Sequence, residues 1–235
     1  MQPYQAYPVQ ATPQIVAHVS EQERTAFMRK VYLHVAGALV LFLVLQGILQ
    51  SLPFAETMVD RLSNFWLIVI LGMSALGWIA SRWTLPGLPL SQQYLGLALY
   101  TLGQAIIFMP MIAYIRFYQD DSILVTGSLL TLALVVGLSM IALDPRTNFS
   151  FLRGALFIGF PVSFAIVIGG ILLGWNLGMW FSIAMIGLAA GSILYQTDAI
   201  VKQSRTDGYV SAALGLFASI MLLLFYVLRL LAGRR

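Results

Sequence analysis

Beyond residue 30 the chain alternates between long apolar runs and short polar breaks. Seven runs fall near 31–52, 65–82, 93–116, 122–143, 152–174, 178–198 and 209–231. Each is about the 20 residues that cross roughly 30 Å of hydrocarbon as a helix. The breaks hold turn formers: Pro53, Pro86-Gly87-Leu88-Pro89, Asp120-Asp121, Asp144-Pro145-Arg146, Gly174-Trp175-Asn176 and Arg205 to Gly208. The runs do not alternate with period two and are too long for barrel strands, so the pattern predicts helices. Residues 1–20, rich in Pro, Gln and Tyr, lack any periodicity and predict a disordered tail. Ser20 and Glu23 have the spacing of a capping box, so a helix is expected to start there and run into the first span. The predicted fold is all-α, a polytopic membrane domain of seven transmembrane helices over residues 21–235.

Composition supports that reading. The chain is 60% hydrophobic and only 9% charged. Soluble domains carry about 25% charged residues, and a water-facing surface is not built from so few. Cysteine is absent, which excludes disulfides, thiolate metal sites and cysteine nucleophiles. The net charge of +4 is scattered between apolar runs rather than gathered on one stripe, so it reads as a topology signal and not as a nucleic-acid surface. No secretory signal peptide is expected at the start.

With the amino terminus inside, the cytoplasmic segments hold Arg24, Arg29, Lys30, Arg82, Arg146, Arg153, Lys202 and Arg205, eight of the 13 basic residues. Arg61, Arg116, Arg229, Arg234 and Arg235 lie on the other side, so the count favours that orientation. A re-entrant last segment would instead put both termini inside. Gly187 with Gly191, and Gly170 with Gly174, have the spacing of close helix packing. Pro110 and Pro161 interrupt the backbone ladders of runs three and five.

Candidate chemistry is sparse. His18 lies in the tail, and His34, one turn into the first span, reads as an interfacial or packed histidine. No His-Glu-x-x-His pair or phosphate-binding glycine loop occurs, so no metal site and no cofactor are expected. Ser192 lacks a histidine base on a late helix, which argues against an intramembrane serine protease and leaves no catalytic residue. Polar residues in the spans are Gln46, Gln104, Gln196, Asp198 and Ser219. Of these, Gln104, Gln196, Asp198 and Ser219 are candidates for a polar core or ion path. Gln196 and Asp198 stand about 200° apart around a helix and do not face one cavity together. Asp198 has two readings: an interfacial acid paired with Lys202 four residues on, or a titratable gate or cation ligand. Arg229 is expected to snorkel to the membrane surface.

Four segments resemble the Bax inhibitor-1 family, also called the transmembrane Bax inhibitor motif proteins. Phe27-Met28-Arg29-Lys30-Val31-Tyr32 resembles its entry into the first helix. Asp144-Pro145-Arg146-Thr147-Asn148-Phe149-Ser150-Phe151-Leu152 resembles the loop before its fifth helix. Ile193-Leu194-Tyr195-Gln196-Thr197-Asp198 resembles its Leu-Tyr-Asp-Thr-Gln ending of helix six. Leu228-Arg229-Leu230-Leu231-Ala232-Gly233 resembles its closing segment.

The resemblance implies six helices around a central seventh. It also implies a pH-sensitive calcium leak, with Ca2+ as the permeant ion, gated by two aspartates that share a proton. Those aspartates fall on Gln196 and Ser219, so the pair is missing here. Within the family the likeness is to the bacterial YccA-like branch, whose members are described as substrates and modulators of a membrane-anchored AAA+ protease. The resemblance therefore implies a non-enzymatic protein of a bacterial inner membrane, with the lipid bilayer and such a protease as partners. The alternative it implies is a cation leak without the di-aspartyl switch.

Overall fold

The computed structural model describes residues 14–53, 66–144 and 146–233. Among the described residues seven long helices follow one another: α1 (Glu21–Gln50), α2 (Trp66–Trp83), α3 (Leu90–Tyr118), α4 (Ser122–Leu143), α5 (Leu152–Leu173), α6 (Gly178–Gln203) and α7 (Tyr209–Ala232). Helices α1 and α3 to α7 have the length and hydropathy to cross a membrane, and α2 is 18 mostly apolar residues. The fold is the predicted all-α membrane bundle.

The last helix is central. It is apolar on nearly every side, the pattern of a helix buried all round. It buries twelve residues, from Val210 to Leu228. Helices α1, α3, α4 and α6 pack directly on α7, while α2 lies against α3 and α5 against α6, with α2 and α5 touching each other. The ring of six is thus uneven. Helix α5 is loosely packed, burying only Leu156 and Gly170 among its described residues. Outward side chains are apolar, as a lipid solvent requires: Leu43 is 65% exposed, Met140 66% and Phe157 80%.

Local chemistry sets the ends. The Ser20 capping box forms, with the Glu23 amide donating to Ser20 Oγ at 3.3 Å and the Ser20 amide donating to Glu23 Oε2 at 3.1 Å. Between α5 and α6, Gly174 takes a left-handed φ of 68°, which ends α5 without the Cβ clash other residues would meet. Asn176 then accepts the Gly178 amide at 3.1 Å and opens α6.

Two expectations are corrected. The disordered tail does not extend to residue 20, and residues 1–13 lie outside the described residues. Residues 14–18 dock on the α6–α7 turn: the Val16 amide donates to Ser204 O at 2.8 Å and the Thr206 amide to Gln14 O at 2.9 Å. Val16 is fully buried among Phe27, Val31 and Ile200, and His18 belongs to the short 3-10 turn Val16–His18. Burial of a β-branched side chain offsets the ordering of this short segment. The Gly187–Gly191 pair is also not a tight helix contact. A Cβ at Gly187 would meet nothing within 4 Å, and one at Gly191 would meet only Leu156 at 3.9 Å.

One end of the bundle gathers the docked segment, the α6–α7 turn and the α2–α3 turn, where Pro86 sits against Gly208. At the opposite end Gln119 Nε2 donates to Ala232 O at 3.0 Å. Helix α7 therefore runs from one end of the bundle to the other.

Candidate functional site

The polar centre of the bundle lies where α6 meets α7, its most extensive helix pairing. Ser192 and Gln196 stand one turn apart on α6, and both reach Ser219 on α7. Gln196 Nε2 donates to Ser219 Oγ at 2.6 Å and to Ser192 Oγ at 3.1 Å. The two hydroxyls are 2.8 Å apart, and Ser219 Oγ donates onward to Gly215 O at 3.3 Å. If Ser192 donates to Ser219, every hydrogen of the set is used. Ser192 and Ser219 are 2% and 4% exposed, so leaving one unpaired would carry a desolvation cost.

Gly215 makes room for this arrangement. A Cβ there would collide with Gln196 Oε1. The sequence resemblance pointed to Gln196 and Ser219, and the structure brings them together. It adds Ser192, whose spacing of four from Gln196 was the available signal. None of the three titrates near neutral pH, so the cluster holds no proton switch. Carboxylates at both positions would face each other and share a proton.

Asp198 does something else. It is 2% exposed, so it is not an exposed residue of the membrane surface. Its Oδ1 pairs with Lys202 Nζ at 2.5 Å. Its Oδ2 accepts the Phe149 amide at 3.3 Å. Lys202, itself 37% exposed, also donates to Thr147 O at 2.8 Å. The expected Asp198–Lys202 pair exists, and it clamps residues 147–149 of the loop before α5 onto the end of α6. Asp198 faces that loop and Gln196 faces α7, as two positions about 200° apart must.

Gln104 stands apart from the cluster. It donates to Tyr100 Oη at 2.9 Å, and the Tyr100 ring lies 6.2 Å from that of Phe217. Phe217 is two residues from Ser219, so Gln104 lies across α7 from the polar centre. Near Pro110, Gln46 Nε2 donates to Ala105 O at 2.7 Å and Gln50 Nε2 to Met109 O at 2.9 Å. Both glutamines tie α1 to α3 beside the proline. Arg229 places its guanidinium about 6 Å from the rings of Phe181 and Tyr226, at 6.0 and 5.9 Å. Among the described residues no group of three His, Asp or Glu side chains is arranged to hold a metal ion.

The chain matches the model of a family described as inhibitor of apoptosis-promoting Bax1 over residues 24–235. It is 27% identical to protein lifeguard 4 of Mus musculus over 224 residues, 92% of this chain and 88% of that protein. It is also 27% identical to the uncharacterized protein PA2604 of Pseudomonas aeruginosa over 228 residues, 92% of this chain and 94% of that protein.

Proposed function

This chain belongs to the Bax inhibitor-1 family, and on that premise we propose that it is a non-conducting, non-enzymatic interaction protein of a bacterial inner membrane. Its partner in this reading is a membrane-anchored AAA+ protease, which it modulates or which degrades it. The observation that carries the reading is the 2.6 Å hydrogen bond between Gln196 and Ser219. It replaces a titratable pair with a satisfied neutral one, which favours a closed bundle over a proton-gated path. The amino terminus is cytoplasmic in this reading. In support, the helix ends that carry Arg24, Arg29, Lys30, Arg82, Arg146, Arg153, Lys202 and Arg205 would share that side.

Residues 1–13 carry no charged side chain and precede the docking point at Gln14. They are the handle that such a protease would grip. Deletion of residues 1–13 leaves the docked segment intact and tests this. Longer cellular lifetime, or altered protease activity, is expected. Unchanged turnover together with unchanged protease activity would overturn the reading.

A second reading is a cation leak, with Ca2+ as the permeant ion, that lacks a pH switch. It is favoured by the three polar side chains meeting inside an otherwise apolar core. Calcium flux into liposomes separates the two readings.

A further inference from the structure

A lateral groove of about 290 Å³ opens between α1 and α3. Leu33, Leu41 and Ala98 line its apolar length. Gly37 leaves it hollow, because a Cβ built there meets no atom within 4 Å. One end is polar. His34 stacks on Tyr94 with ring centres 5.5 Å apart and planes 1° from parallel. His34 Nε2 lies 3.3 Å from Tyr94 Oη. Lys30, one turn earlier on the same face of α1, holds its ammonium 5.5 Å from the centre of the Tyr209 ring. That ring lies 5.0 Å from His34. Arg29 and Lys30 are exposed, and among the described residues neither makes an ion pair.

We propose that this groove binds one anionic phospholipid. An acyl chain lies along Gly37 towards Leu41, and the phosphate sits against Lys30, His34 and Tyr94. Bulk lipid covers any apolar helix face, but this face differs in two ways. Its hollow accepts a chain below the surface, and its polar end offers the Lys30 ammonium, which no carboxylate among the described residues neutralises, beside a His34 whose Nδ1 donates to Lys30 O at 2.7 Å and whose Nε2 accepts the Tyr94 hydroxyl. Charge complementarity therefore selects an anionic headgroup over a zwitterionic one. Lys30 lies eleven residues before Leu41, about 16 Å along the helix, so headgroup and chain sites are separated along the membrane normal.

The test is native mass spectrometry of the full chain in detergent. It is titrated with a phosphatidylglycerol and, separately, a phosphatidylcholine of the same acyl chains. One phosphatidylglycerol is expected to stay bound under conditions that strip phosphatidylcholine. Lys30→Gln should weaken its retention about fivefold, the worth of one charge near the headgroup. Gly37→Phe fills the hollow and should abolish the adduct in protein that keeps its helicity and elutes as one species. If that variant fails to fold, Ala98→Phe fills the same space from α3. Equal retention of the two lipids by the wild type, or an unchanged phosphatidylglycerol adduct in a folded groove-filled variant, would overturn the proposal.

Discussion

Gln196 Nε2 and Ser219 Oγ meet at 2.6 Å across the interface of α6 and the central helix α7. Two uncharged groups thus close the place where the resembling family carries its acidic pair. The contact is made in a bundle whose surroundings are hydrocarbon, where an unpaired polar group finds no water. Gly215 and Ser192 complete it, one by lacking a side chain and one by sharing the hydroxyl network.

Ser219→Ala removes one of the two acceptors of the Gln196 amide and the partner of the buried Ser192 hydroxyl. It should cost about 1–2 kcal/mol, within the range for hydrogen bonds inside membrane proteins and for orphaned partners. Gln196→Leu combined with Ser219→Ala should cost less than the two single changes added, since the Gln196–Ser219 bond is lost once rather than twice, while the Ser192 hydroxyl loses both partners. Thermal unfolding in detergent across the four-protein cycle measures this. Strict additivity would mean that the two side chains do not interact.

Asp198→Ala should free residues 146–151. It removes the acceptor for the Phe149 amide and the partner of Lys202. The expected cost is about 1–3 kcal/mol, chiefly for the unpaired, partly buried Phe149 amide. The exposed end of Lys202 is re-solvated and contributes less. Asp198→Asn keeps an acceptor and should lie between. Hydrogen exchange of residues 146–151 reads the effect directly, and protection equal to the wild type would contradict the clamp.

The apolar runs made the bundle legible because membrane helices must satisfy their backbone internally. The helical period also predicted that Gln196 and Asp198 serve different neighbours. Burial of Asp198 was not legible. It depends on Phe149 and its neighbours folding back over the end of α6, a contact about 50 residues distant in the chain. Gln104 looked equivalent to Gln196 in a one-dimensional reading, yet α7 separates them, since Gln104 pairs with Tyr100 on the Phe217 side. The docked segment was hidden in a polar stretch, and its one local sign was the β-branched pair Ile15-Val16. Pairing of Ile15 with Arg205 joins residues too far apart in sequence for any local pattern to disclose.

Val16→Asp should detach residues 14–18 from the bundle. Val16 is fully buried, and a carboxylate there would have no partner. Exchange protection at the amides of residues 16 and 206 should fall by roughly tenfold or more, since burying a valine is worth about 1.5–3 kcal/mol. Global unfolding should shift much less. Retained protection at both amides would show that the segment is not held by that side chain.

Gln46→Ala and Gln50→Ala each remove one donor from α1 to the α3 backbone beside Pro110. Each should cost about 0.6 kcal/mol, and no more than about 1.7. Because α7 packs on both helices, neither change should disperse the bundle. Unfolding in detergent checks the magnitude, and loss of folded protein from either single change would contradict it.

The most direct measurement is calcium flux into liposomes carrying the purified full chain, read against empty liposomes between roughly pH 6 and 8. The neutral Gln196–Ser219 lock predicts no proton-dependent flux and, in the preferred reading, none above the empty vesicles. If any flux exists, it should be constant across that range, and Gln196→Asp with Ser219→Asp should make it pH-dependent. Wild-type flux that changes several-fold between those pH values would contradict the account.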